Sequence, residues 1–139
     1  MIVKSGSAEW SGNLKDGRGH VSTESGVLEN VPYSFAKRFE DTEGANPEEL
    51  LGAAHAACFS MAFANILSEF DLKADSIETK ASVTLDPSAP SITKVHLDMT
   101  ASIPDASEDD FQAAAQKAKE NCPVSKLFKA EITMDAKLS

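Results

Sequence analysis

Two cysteines, two arginines and one tryptophan are all that the 139 residues hold of these types. With cysteines only at positions 58 and 122, the chain has neither a disulfide framework nor the Cys-x-x-Cys pair of a disulfide reductase. Zinc spacing is missing too. His20, His55 and His96 stand singly, so a set built from His55, Cys58 and Cys122 would have no sequence signature. Basic residues are scarce: 13 Lys and Arg against 22 Asp and Glu leave a net charge of -9. That balance, without a polybasic run, argues against nucleic-acid phosphates and against an anionic membrane surface. Met1-Ile2-Val3-Lys4-Ser5-Gly6 lacks the apolar stretch of a secretory signal. A cytoplasmic, reducing location is therefore expected, where cysteines are more often reduced, catalytic or metal-bound than bridged. Internal repeats, low-complexity tracts and long linkers are also missing, and a single domain spanning residues 1–139 is the expectation.

What is present is a helix between short strands. Asn46-Pro47-Glu48-Glu49 starts it: Asn46 caps, Pro47 suits the first helical position, and the acids meet the positive dipole end. From Leu50 to about Phe70 the sequence is apolar on nearly every face, interrupted by Gly52, His55, Ser60 and Asn65. It reads as an enclosed core helix rather than a bilayer span. One small domain can hardly cover it alone, which hints at a second copy of the chain.

Before the helix, Val3–Trp10, His20–Thr23 and Tyr33–Phe39 have strand-like content, with a turn-rich stretch at Asn13–Gly19. After it, Ser76–Leu85 and Ile92–Ile103 alternate as two antiparallel strands joined at Asp86–Pro90. A second helix over Asp105–Asn121 is capped by Ser107, a short third begins at Cys122-Pro123, and Ala130–Leu138 closes as a strand. The order β-β-β-α-β-β-α-α-β is an α+β chain, expected to hold antiparallel sheets wrapped around long central helices.

Cys58 lies midway along the enclosed helix, as a small buried hydrophobe or as a nucleophile. Cys122 precedes Pro123 at the start of the short helix, where free N–H groups and the dipole favour a thiolate. Two isolated cysteines so placed suit a thiol that is oxidised and a second that resolves it. His55, one turn before Cys58, shares its helix face, as a satisfied core group or as the base of a Cys–His pair. A peroxide-reducing thiol also needs a cation that lowers its pKa and steadies the charge as the O–O bond breaks. The candidates are Arg18, in a Gly-rich run, and Arg38, between Phe35 and Phe39. Glu48 or Glu49 would hold such an arginine in a bidentate pair. Tyr33, Phe35 and Phe39 are candidates to line an apolar pocket, as are Phe59 and Met61, which serve equally as core.

The run from Gly44 through Cys58 to Ala62 and the run Ala118-Lys119-Glu120-Asn121-Cys122-Pro123-Val124-Ser125 together resemble the two signatures of the OsmC/Ohr family (osmotically inducible protein C and organic hydroperoxide resistance). The early Val21–Leu28 and late Lys129–Thr133 segments resemble its OsmC branch. The resemblance implies an OsmC-like fold in an intertwined homodimer, and a peroxidase that uses no haem, flavin or metal. It implies Cys58 as the peroxidatic and Cys122 as the resolving cysteine, with Arg38 and Glu48 completing the site. Organic hydroperoxides, more weakly hydrogen peroxide, are the implied substrates, with a dithiol, in Ohr members a lipoyl dithiol, as reductant. Glu48 and Cys58 lie ten residues apart, roughly 15 Å along one helix. Two sites at the dimer interface, each built from both chains, are therefore expected.

Overall fold

The computed structural model describes residues 1–36 and 44–139, in two compact units, Met1–Leu50 and Leu51–Ser139. In the first unit, β1 (Gly6–Ser11), β2 (Arg18–Thr23) and β3 (Val31–Tyr33) form an antiparallel sheet in that order. The third strand is earlier and shorter than the Tyr33–Phe39 expected: Ser34, Phe35 and Ala36 have already left it. Pro32 obscured it in the sequence, yet a proline is tolerated because β3 is an edge strand. Gly19 sits between Trp10 on β1 and Tyr33 on β3. A Cβ there would stand 2.5 Å from the Tyr33 ring, so only glycine lets that ring close over β2.

The long helix α1 (Pro47–Leu67) starts as a capping box. The Asn46 side chain accepts from the Glu49 N–H at 2.8 Å, and the Glu49 carboxylate accepts from the Asn46 N–H at 3.3 Å. A single 3-10 turn, Ser68–Phe70, ends it at Asp71, whose backbone is left-handed at φ 55°.

In the second unit the hairpin of β4 (Ser76–Asp86) and β5 (Ser91–Ser102) lies beside β6 (Glu131–Leu138) in the order β4-β5-β6. Strand β6 pairs with β5 in parallel. The connection explains this: α2 (Glu108–Asn121) and α3 (Pro123–Leu127) intervene, and such a crossover returns the chain to the end from which β5 began. Ser107 caps α2, accepting from the Asp110 N–H at 3.2 Å.

Helix α1 buries Gly52, His55, Phe59, Phe63, Ile66 and Leu67, a stripe at steps of three and four. Val95, Leu97, Met99 and Ala101 of β5 and Phe111, Ala114, Ala115 and Ala118 of α2 complete that core. Phe63 stacks on Phe59 at 6.1 Å and meets the edge of Phe111 at 5.8 Å. Gly52 brings α1 against β4, since a Cβ would approach the Ala81 carbonyl to 2.9 Å. Among the described residues of the second unit, the other face of α1 is open. Ala53, Ala54, Ala57, Met61 and Ala64 are exposed, Met61 to 74%. Of the enclosure expected from the composition, the described residues of the second unit supply one side.

Candidate active site

Cys58 is half-buried on α1, next to Phe59 of the core, and is free. Cys122 is buried and free. Its position follows from the phase of α2, because Phe111, Ala114, Ala115, Ala118 and Cys122 continue one stripe. Cys122 donates its N–H to the Ala118 carbonyl at 2.9 Å, the last bond of that helix. Pro123 then forces Cys122 into an extended conformation, φ -57° and ψ 125°, and α3 starts in a new direction.

The fold brings the two thiols close enough for each to act on the other's ionisation. Burial pushes the Cys58 thiol above the ordinary cysteine range; the Val124 N–H donates to its sulfur and pulls the other way. The hydrogen bond to Cys122, and repulsion from Cys122 when both ionise, raise it further. The Val124 N–H at the start of α3 thus acts on Cys58 across the helix contact. Pro123 at the first helical position was the signal: it leaves the following N–H without a helical acceptor.

His55 is fully buried and 2.7 Å from the Ser125 hydroxyl through Nε2, with its ring edge on Phe128 at 5.4 Å. Its nitrogen is thus directed to a hydroxyl on α3. Nδ1 has no hydrogen-bond partner among the described residues. Burial pushes the imidazole below its usual 6.5, so the native state holds it neutral. The stability this contributes is present above 6.5 and is lost as pH falls toward the lower native value, because the unfolded chain takes up the proton first. Urea midpoints at pH 7 and pH 5 check this: the decline should be steeper for the wild type than for His55→Gln.

Arg38 and Phe39 lie outside the described residues. Arg18 is exposed at the start of β2. Glu49 is occupied by the capping box, while Glu48, half-buried in the first turn of α1, is not part of that box. Tyr33 and Phe35 share a cavity of about 250 Å³ in the first unit with Trp10, Leu14, Ser34 and Pro47. Trp10 was not singled out in the sequence. Its ring lies 5.5 Å from that of Tyr33, brought there by the pairing of both strands with Gly19. Phe59 is wholly core, and Met61 lies on the open face of α1.

The outer face of the second sheet carries a separate polar cluster. His96 meets Asp135 at 3.1 Å and Asp98 at 3.3 Å through Nε2, and Thr133 at 2.6 Å through Nδ1. These residues alternate with the core-facing Val95, Leu97 and Met99, so they stand on the face turned from the buried side of α1.

Comparison with known proteins decides the lineage. Residues 40–137 match the family described as OsmC-like protein. The chain is 50% identical to Peroxiredoxin OsmC of Escherichia coli (strain K12), over 99% of its own length and 97% of that protein's. It belongs to the OsmC-like family. Organic hydroperoxide resistance protein OhrB of Bacillus subtilis is 30% identical over 86% of this chain and 88% of its own. The gap between 50% and 30% sets the chain in the OsmC branch. Its fold matches the solved OsmC-like protein of Vibrio cholerae with a TM-score of 0.76 at 17% identity, covering 98% of this chain and 99% of that one. In this OsmC-like chain the paired thiols fall on the two motifs quoted from the sequence, one on α1 and one where α2 meets α3.

Proposed function

We propose that this chain is a thiol-dependent peroxidase that reduces organic hydroperoxides, and hydrogen peroxide more slowly, in defence against oxidative and osmotic stress. The observation that carries the reading is the contact of two free thiols across α1 and α3, with a backbone N–H directed at Cys58. The names of its relatives, a peroxiredoxin and an organic hydroperoxide resistance protein, support the same chemistry.

The Cys58 thiolate attacks the terminal peroxide oxygen, the O–O bond breaks, and the alkoxide leaves as the alcohol by taking up the proton that Cys58 released on ionising. Cys58 is then a sulfenic acid. The Cys122 thiol displaces its oxygen as water and forms the Cys58–Cys122 disulfide. A dithiol of the lipoyl class reopens the disulfide by exchange and is itself oxidised. Sulfur supplies both electrons, so no metal, haem or flavin is needed.

Burial raises the Cys58 thiol above its ordinary range, and a nearby cation would favour the thiolate that attacks the peroxide. Arg38 fills that role, held by Glu48, and Tyr33, Phe35 and Phe39 bind the apolar part of the peroxide. The chain works as a single domain over residues 1–139, in the cytoplasm, as an intertwined homodimer whose two sites draw on both chains. Supporting the dimer are the open apolar face of α1 and β1, exposed along its whole length.

Consumption of cumene hydroperoxide with dihydrolipoamide tests the reading directly. The wild type should turn over, and Arg38→Ala should lose about a hundredfold or more in kcat/KM. The variant should also recover activity as pH rises, because the thiolate then forms without the cation. A wild type that consumes no hydroperoxide would sink the assignment. An Arg38→Ala enzyme of full activity would remove the arginine from it.

A further inference from the structure

We infer that His55 and Ser125 form a buried clasp that fixes α3 on α1, so that Cys122 stays within reach of Cys58 while the disulfide closes. The inference rests on the two-cysteine reading above and assigns positioning residues to it.

The geometry is a double pairing of the same two helices. On α1, His55 precedes Cys58 by one turn; at α3, Ser125 follows Cys122 by one turn. The thiols meet, and one turn away Nε2 of His55 and the Ser125 hydroxyl meet at 2.7 Å. Both members of the polar pair are buried, His55 at 0% and Ser125 at 8% exposure. No water competes for such a bond, and removing one partner leaves the other unsatisfied.

Helix α3 needs an external hold. Five residues form little more than one turn, which is unstable by itself in water, and Pro123, Lys126 and Leu127 face solvent. The thiol contact cannot serve as that hold during turnover. Once Cys58 carries an oxygen, its sulfur no longer presents the same partner to Cys122. The His55–Ser125 bond has no part in the reaction, so it persists through every oxidation state of Cys58. The edge of Phe128, just beyond α3, closes on the same imidazole.

His55 does not act as a base in this arrangement. It is sealed from solvent, and burial keeps it neutral. With the proton on Nε2 donated to Ser125, Nδ1 is left as a bare acceptor rather than an orphaned N–H, the less costly of the two tautomers.

The sulfenic acid of Cys58 partitions between closure by Cys122 and a second oxidation by peroxide to the sulfinic acid. That partition is set after the first oxidation, so it is blind to any change in thiolate formation. Intact-mass measurement after a peroxide titration of the reduced wild type, Ser125→Ala, His55→Leu and His55→Gln reads it. Losing one buried bond should lower the peroxide concentration giving half over-oxidation by about tenfold in Ser125→Ala and His55→Leu. His55→Gln, whose amide still reaches the hydroxyl, should return toward the wild type. If Ser125→Ala does not fold, the contrast between His55→Leu and His55→Gln carries the test alone. A wild type that forms disulfide, with variants that partition as it does, overturns the clasp and leaves the peroxidase reading standing. A wild type that forms no Cys58–Cys122 disulfide overturns both.

Discussion

Cys58→Ser should abolish hydroperoxide reduction while the protein stays folded. Serine differs from cysteine by one atom, and the half-buried site beside Phe59 accepts it without a large cavity. A serine hydroxyl stays protonated at neutral pH, and its oxygen cannot form the sulfenic intermediate that stores the transferred oxygen. The expected loss in kcat/KM is about a thousandfold or more, equivalent to about 4 kcal/mol of transition-state stabilisation. Cys122→Ser should behave differently. A first equivalent of hydroperoxide should still be reduced, after which further equivalents carry Cys58 on to two or three oxygens in place of disulfide closure. Peroxide loss followed by intact mass of both variants separates the roles. Wild-type turnover by Cys58→Ser would exclude Cys58 as the site of oxidation, and a Cys122→Ser protein that resists over-oxidation would exclude Cys122 as its resolver.

Much of this arrangement was legible in the sequence because local chemistry determines it. Asn46, Pro47 and Glu49 start α1, Ser107 caps α2, and Pro123 turns the chain at Cys122. The alternation of β4 and β5 marked their core faces in the same way. Features that depend on partners across space were not legible. The pattern of Ile132, Met134 and Ala136 shows which face of β6 is buried, but a period of two is the same for parallel and antiparallel neighbours. The short edge strand at Val31 hid behind Pro32. Nothing local to Val124 or Ser125 announces that one donates to Cys58 and the other meets His55, since those contacts arise only when α3 settles on α1. Composition likewise showed that α1 is apolar all round, but not which side the second unit covers.

That uncovered side gives the second large effect: Met61→Lys should convert a dimer into monomers. Ala53, Ala54, Ala57, Met61 and Ala64 form an exposed stripe whose small residues allow a second helix to approach closely. In the proposed dimer a two-fold axis would set the stripe against itself, so that each side chain is buried twice. Burying a methionine side chain is worth about 1.5–3 kcal/mol, and the axis doubles that loss, which weakens association about a hundredfold or more. Two lysines meeting near the axis add repulsion. Light scattering at micromolar concentration should find twice the 14.8 kDa chain for the wild type and a single chain for Met61→Lys. A monomeric wild type, or a variant that stays paired, would end the proposal of pairing through α1. Ala54 and Met61 lie at i-4 and i+3 from Cys58 and project on its side of the helix. Covering the stripe therefore also encloses the thiol, and monomeric Met61→Lys should lose peroxidase activity while iodoacetamide reaches Cys58 faster.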